Sequence, residues 1–369
     1  MESKIQRKGK SDLKDELGSS ISFYYLLYCD KQTRFDDECE STKNLHEIPD
    51  QIDENRKIAL INTKINDFLE IYHLSSLGKD VAKVWIRKIT TDQTGQLSRL
   101  HPWLLGQLGI SKVQRNLFSD WQQGCPELFP RLNSAPFWDA GLLSFVERLN
   151  TAYDKIKSEF LALKGQNGFQ PYRAPMWASK DKAADGIGSI SHDAGDWNIF
   201  YLYLHNMNFQ ENRLLCPYTC EVIESLPYHY SHAFFSALAP RTHITKHHGP
   251  TNKKLRIHLP LVVPGKGCCV LRVGDETKVM EEGKAFVFDD SFEHEAWNNH
   301  FSKARICLII DIWHPDFHPR EIKFLKFLQE ALLKVEKRLC GGTDAPKDNF
   351  YSVINQARTI VPKNEHIWS

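Results

Sequence analysis

The chain has 369 residues, 41% of them hydrophobic and 25% charged, which is enough apolar material for one large domain or two smaller ones. Its 47 Lys and Arg stand against 46 Asp and Glu, a net charge of +1 with no long basic run, and this excludes nucleic acid as a main partner. The 9 cysteines are scattered and form no CxxC pair, which excludes a zinc ribbon or a dithiol redox centre. Only Cys216 and Cys220 are close enough in sequence to predict a local bridge, and then only in an oxidising compartment.

In chain order, residues 1–20 are polar and are expected to be disordered, with no apolar segment placed as a cleavable signal requires. The run ISFYYLLYC (Ile21–Cys29) is far short of the ~20 residues of a spanning helix and reads as a buried strand or helix, so no transmembrane segment is expected. Residues 30–56 are acidic and loop-like. Between Lys57 and Lys88, Ile58, Ile61, Ile65, Phe68, Leu69 and Tyr72 recur near helical spacing and predict one or two helices. Residues 102–163 stay helical in two halves joined by a loop that holds SAPFWD, and Phe145, Leu149, Tyr153 and Ile156 mark the face of the second half.

Past Gly165 the period changes from helix to strand. Strands are predicted at 197–204, 231–238, 255–263, 268–273, 277–280, 285–288 and 305–313, each short and bounded by Gly, Pro, Asn or Asp, with a hairpin turn at Gly274 and Asp275. This is the texture of an antiparallel sandwich or jelly roll. Residues 322–339 predict an amphipathic helix against the sheet, followed by a loose tail. The expected layout is an irregular segment 1–56, a helical region 57–165, a strand-rich domain 166–320 and a C-terminal helix and tail 321–369.

Two histidine clusters lie in the strand-rich part, THITKHHGPTN (242–252) and FDDSFEHEAW (288–297). A jelly roll can bring such segments together at its mouth, and two imidazoles with open positions suit iron. Paired His clusters alone are weak, since most are surface or hydrogen-bonded core residues, and by spacing either His247 or His248 could be the ligand. The charge pattern adds to the case. In LRIHLPLVV, alternation puts Arg256 and His258 on one face; in RICLIIDIW, Arg305, Cys307, Ile309 and Asp311 face opposite to four aliphatic side chains. An Arg in such a strand needs an anion, either a structural Asp or one carboxylate of a dicarboxylate co-substrate whose other end meets Arg256 and His258.

The runs HHGPTNKKLRIHL, EEGKAFVFDDSFEHEAWNN and IDIWHP, with SAPFWD and GDWNIFYLY upstream, closely resemble the aspartyl/asparaginyl β-hydroxylase family over roughly residues 128–319. The resemblance implies an α+β chain whose catalytic core is a double-stranded β-helix, with N-terminal helices and a C-terminal helix. It implies a dioxygenase that uses Fe(II), 2-oxoglutarate and O2 to hydroxylate an unactivated carbon. By the H-x-G-P-T-N pattern, His247 and His294 would hold the iron. Ser236 and Arg305 would take the distal carboxylate of 2-oxoglutarate, and Arg256 and His258 the carboxylate beside the keto group.

Two residues after His247 stands Gly249, where most iron oxygenases carry Asp or Glu, so water is expected to complete the shell. Asp290 is then either a catalytic-site carboxylate that orients this water or a turn residue that caps its strand. Lys254 stands where the family has a basic substrate contact and is assigned to substrate binding. The family's substrate is the β-carbon of Asp or Asn in proteins with epidermal growth factor-like domains, and other members act on lipids or small molecules. A jelly-roll interaction protein without turnover and a cupin-like metal protein are the rival readings. The absence of a signal points to the cytoplasm and the resemblance to the endoplasmic reticulum.

Overall fold

The structure, a computed structural model, describes residues 54–111, 115–175, 177–205, 207–340, 350–360 and 367–368. The expectations for residues 1–53 lie outside these. The chain divides into two compact units.

Among the described residues, the first unit holds 54–111 and 317–337. Its helices are α1 (Glu54–Glu70), α2 (Ser76–Thr90), α3 (Leu100–Gln107) and the greater part of α7 (Pro319–Cys340). Ser75 caps α2 by accepting from the Gly78 N–H at 3.2 Å. The predicted apolar spacing is used for packing here. Phe68 and Trp103 meet edge to face at 6.2 Å, and Phe324 of α7 lies 5.6 Å from Trp85 and 6.4 Å from Trp103. The helix predicted over 322–339 therefore packs on helices as well as following the sheet in sequence. The helical region expected over 57–165 is also divided, because its last helix has its apolar face on the β-structure.

That helix, α4 (Ser144–Ala162), opens the second unit's core, with α5 (Gln210–Leu215), α6 (Pro217–Glu224) and α8 (Phe350–Ala357). One sheet has seven strands in the order β1-β9-β6-β11-β4-β3-β2. The second has four, β5-β10-β7-β8. Their ranges are β1 Phe137–Trp138, β2 Gln170–Pro171, β3 Trp197–Leu204, β4 His229–Leu238, β5 Thr242–His247, β6 Lys254–Val262, β7 Cys269–Val273, β8 Glu276–Val279, β9 Phe286–Phe288, β10 His294–Asn298 and β11 Arg305–Trp313. All pairings are antiparallel. The two sheets make the double-stranded β-helix of an α+β chain. Gly274, at φ 58°, and Asp275 close the β7–β8 hairpin as expected.

Alternation sorts the large sheet into two chemistries. On the outer face Phe235, Ile257, Leu259, Ile306, Leu308 and Ile310 join Leu149, Ile156 and Phe160 of α4 in one buried cluster. The register then aligns Ser236 with Cys307, His258 with Ile309, and both Arg256 and His232 with Asp311 on the inner face. An apolar outer wall thus presents a row of polar groups to the second sheet.

Two corrections concern the periphery. The tail expected to be loose contains α8, and Trp368 stacks on Phe160 at 5.2 Å. Cys216 and Cys220 are both free and buried at the start of α6, so no bridge forms. Burial pushes the Cys216 thiol above its usual range and that of Cys220 to about 11. No helix among the described residues is long and apolar enough to cross a membrane.

Candidate functional site

The two histidine clusters, read in sequence only as clusters, are strands, and their pairing builds the site. In the β5–β10 ladder His247 sits directly opposite His294, next to a β-bulge, and the two rings are 4.1 Å apart. Each ring is oriented in the same way. His247 Nδ1 meets the Thr245 carbonyl at 2.7 Å and His294 Nδ1 meets the Phe292 carbonyl at 2.8 Å. A carbonyl can only accept, so both Nδ1 atoms carry the proton and both Nε2 lone pairs are left to bind something else. Burial lowers the His247 pKa to about 4 and that of His294 well below its ordinary value, with the neighbouring ring a further cause for His294. Both rings are therefore neutral donors across the physiological range.

His248, which spacing left open, is turned away. Its Nδ1 contacts the Ser291 carbonyl at 3.0 Å, and its ring lies so close to Gly124 that a Cβ there would come within 2.3 Å of Nε2. The rest of the HHGPTN loop is fixed from behind. The Asn252 side chain accepts from the Phe129 N–H at 2.6 Å and donates to the Phe129 carbonyl at 3.0 Å.

Gly249 and Asp290 explain each other. A Cβ on Gly249 would lie 2.4 Å from the Asp290 Cγ and 2.5 Å from Oδ1, so the Asp290 carboxylate already occupies the space that a side chain at 249 would need. The Gly249 N–H donates to the Asp290 carbonyl at 2.5 Å. Asp290 is fully buried, and its Oδ1 has no hydrogen-bond partner. Among the described residues no group of three or more His, Cys, Asp or Glu side chains forms a metal-binding set, so the two histidines stand as a pair with this carboxylate beside them.

The cations divide into two kinds. Arg305 is 1% exposed, yet its Nε and Nη1 have no partner, and His258 Nδ1 is likewise buried and unmatched. Burial, then Arg305 and Arg256, hold the His258 pKa well below its ordinary value. Nearby, Ser236 is fully buried and its Oγ accepts from the Trp197 indole at 3.0 Å. Arg256 is different: its Nε and Nη2 grip Asp311 at 2.7 and 2.9 Å, and Nη1 lies 3.4 Å from Asp290. The structural Asp considered as a partner for Arg305 thus belongs to Arg256.

Lys254, read as a substrate contact, is 2% exposed and bridges the same two carboxylates, 2.6 Å from Asp290 and 3.0 Å from Asp311. Burial pushes the Asp311 carboxyl up, but Arg256, Lys254 and His232 together hold it well below the usual range. Two buried carboxylates thus claim the ammonium of the residue assigned to substrate binding.

Three further residues escaped the sequence reading. His232, given no role, bonds Asp311 through Nδ1 at 2.8 Å. Trp197 orients Ser236. Tyr172 stacks face to face on Trp197 with ring centres 3.6 Å apart. Burial raises the Tyr172 hydroxyl to about 12, with the Arg256 charge opposing the rise and the Asp290 charge adding to it. The strand parity of His232 with Asp311 was a usable signal; nothing in the sequence marks Tyr172.

Comparison with known proteins gives the chain's relatives. The profile of the family described as "Aspartyl/Asparaginyl beta-hydroxylase" matches residues 150–315, which hold all of the site residues named from the sequence. The human "Aspartyl/asparaginyl beta-hydroxylase" is 33% identical over 203 residues, 53% of this chain and 24% of that one. The "Ornithine lipid ester-linked acyl 2-hydroxylase" of Rhizobium tropici is 30% identical over 196 residues, 53% of this chain and 66% of its own. The human "Aspartate beta-hydroxylase domain-containing protein 2" is 32% identical over 230 residues, 60% and 59% of the two chains. The chain thus spans about a quarter of the human hydroxylase and two thirds or less of the other two. With the profile match and these identities in agreement, residues 150–315 are a region of the aspartyl/asparaginyl β-hydroxylase family.

Proposed function

We propose that this chain is an Fe(II)- and 2-oxoglutarate-dependent dioxygenase that hydroxylates an unactivated carbon. The observation that carries the reading is the His247–His294 pair, with both Nδ1 protons committed to backbone carbonyls, in a site where Arg305 is buried without an anion. A buried guanidinium with two unmatched donor atoms costs several kcal/mol unless a carboxylate completes it. The donor set fits the two groups expected. His247 and His294 would hold the iron through Nε2. Arg305 with the Ser236 hydroxyl would anchor the distal carboxylate of 2-oxoglutarate, and His258, beside Arg256, would meet the carboxylate next to the keto group.

Bound iron and 2-oxoglutarate would supply the oxidising power by reducing O2, with 2-oxoglutarate losing CO2 to become succinate. The chain's own part is to hold and orient. Trp197 donates to Ser236 Oγ, leaving the serine's own proton free to donate to the co-substrate. Phe288 packs its ring against both His258 and His294, 5.0 and 5.6 Å away, and fixes the two rings relative to each other. Asp290 Oδ1, unpartnered beside Gly249, would orient a water in the position that a carboxylate takes in other iron oxygenases.

For the substrate we infer the β-carbon of Asp or Asn in a protein, with epidermal growth factor-like domains as the first to test. Support comes from the named activity of the human relative. An uncharged acyl chain is the second reading. The name of the Rhizobium relative favours it, as does the fact that Lys254 and Arg256 are already matched by Asp290 and Asp311, leaving neither cation free for a substrate carboxylate.

The test is anaerobic titration of Fe(II) and 2-oxoglutarate, followed by succinate formation in air without added substrate. Arg305→Ala should abolish 2-oxoglutarate binding and His294→Ala should abolish succinate formation. Wild-type protein that fails to bind 2-oxoglutarate, or binding that survives Arg305→Ala, would refute the reading. Mass spectrometry of epidermal growth factor-like peptides and of ester-linked acyl lipids, looking for the gain of one oxygen atom, separates the two substrates.

A further inference from the structure

A positively charged side chain in a substrate pocket is ordinarily read as a hook for a substrate anion. Lys254 does not have the surroundings of a hook. It is 2% exposed, at the start of β6, and its ammonium lies between Asp290 Oδ2 at 2.6 Å and Asp311 Oδ2 at 3.0 Å. Both carboxylates are fully buried. Arg256 contacts the same two, so two cations face two anions and the cluster closes without a substrate charge.

The geometry at Gly249 shows what this arrangement accomplishes. The Asp290 carboxylate lies against the Cα of Gly249, near enough that a Cβ would overlap all three of its outer atoms. A carboxylate held there at a fixed angle, with Oδ2 taken by Lys254 and Oδ1 unpartnered, offers one oriented acceptor beside His247. Without Lys254 the carboxylate would keep only the longer Arg256 contact to Oδ2, at 3.4 Å, and would lose the short bond that sets its angle.

We propose that Lys254 is a positioning residue of the metal site, holding the Asp290 carboxylate in the gap left by Gly249, and that it does not contact the substrate. This rests on the reading of His247 and His294 as the metal pair. A compact ammonium can sit between two carboxylate oxygens of different residues, here beside the Arg256 guanidinium that already spans the same pair.

The experiment uses Co(II) alone as the probe, on the full chain, with affinity measured by calorimetry and ligand geometry by the visible absorption of bound Co(II). Lys254→Met should weaken Co(II) binding by about 10- to 100-fold and shift the absorption bands, as loss of an orienting group does. Lys254→Arg should recover part of the affinity. A folded Lys254→Met protein with wild-type affinity and wild-type bands would overturn the proposal.

If Lys254→Met does not fold, the charge-balanced double variant Lys254→Met/Asp290→Asn is compared with Asp290→Asn alone. Lys254 acts through Asp290, so the two should bind Co(II) equally. A further loss in the double variant would show an independent role and defeat the proposal. Failure of the underlying reading looks different: wild-type protein would not bind Co(II), or His294→Ala would bind it as well as wild type.

Discussion

Replacement of Gly249 by alanine tests the central contact of the site. The new Cβ would stand 2.4 Å from Asp290 Cγ, more than 1 Å inside the ~3.5–4.0 Å at which carbon atoms normally meet. The carboxylate cannot swing aside freely, because Lys254 at 2.6 Å and Arg256 at 3.4 Å both hold Oδ2. Overpacking alone costs about 1–3 kcal/mol, and displacing Asp290 from its cations costs about 3–5 kcal/mol, so Gly249→Ala should destabilise by roughly 3 kcal/mol or more. At ~2–4 °C per kcal/mol for a unit of this size, the melting temperature should fall by about 6–12 °C.

Gly249→Asp, which would write the usual iron-oxygenase carboxylate back into the chain, should fare worse than alanine, since it sets a second negative charge against Asp290. Asp290→Gly combined with Gly249→Asp returns one carboxylate to the same space and should recover both stability and Co(II) binding relative to Gly249→Asp. Thermal unfolding and Co(II) calorimetry on the set provide the assay. A Gly249→Ala protein within 0.5 kcal/mol of wild type, about the ordinary scatter of a surface substitution, would refute the reasoning.

Other outcomes follow from the same geometry. His247→Ala should abolish Co(II) binding while His248→Ala leaves it within a few fold, since His248 is turned toward Ser291; equal losses would place the wrong histidine in the site. The lowered pKa of His247, about 4 against an ordinary 6.5, sets a pH dependence. Folding favours the neutral ring, so this contribution, on the order of 3 kcal/mol, is present above about pH 6.5 and is lost as the pH falls toward 4. Metal-free protein should therefore destabilise across that window, and Co(II) affinity should stay nearly flat from pH 8 to about 5. A loss of affinity centred at pH 6.5 would contradict the buried, neutral pair. Trp197→Phe removes the donor to Ser236 and should weaken 2-oxoglutarate binding several-fold without changing Co(II) affinity. Phe160→Ala, at the contact of α4 with Phe235 and Trp368, should cost about 3–5 kcal/mol and leave the site's chemistry intact.

The chain alone determined the strands whose apolar and polar residues alternate. β3 and β11 lie where the alternation placed them, and β6 differs by one residue at each end. The facing of Arg256, His258 and Arg305 followed from a period of two, because a strand's side chains have only two directions. The α4 face followed in the same way from a period near 3.6. What alternation could not reveal were β5 and β10, the strands that carry the histidines. Their sequences are rich in His, Thr, Glu and Asn, and pairing with each other, not apolar patterning, holds them extended.

Pairwise distances were likewise decided only in three dimensions. His247 and His248 are equivalent by spacing, and the register against His294 and the backbone at Gly124 and Ser291 separate them. Arg305 and Arg256 are both arginines on inward-facing strand positions, yet one has an aspartate directly across the ladder and the other does not. Lys254 follows a second lysine and would pass for a surface cation, until two carboxylates from β11 and the β9–β10 turn close on it. A residue's type fixes which partners it can use. Which partner stands within 3 Å depends on strand register and on how the two sheets meet, and those are properties of contacts between segments far apart in the chain.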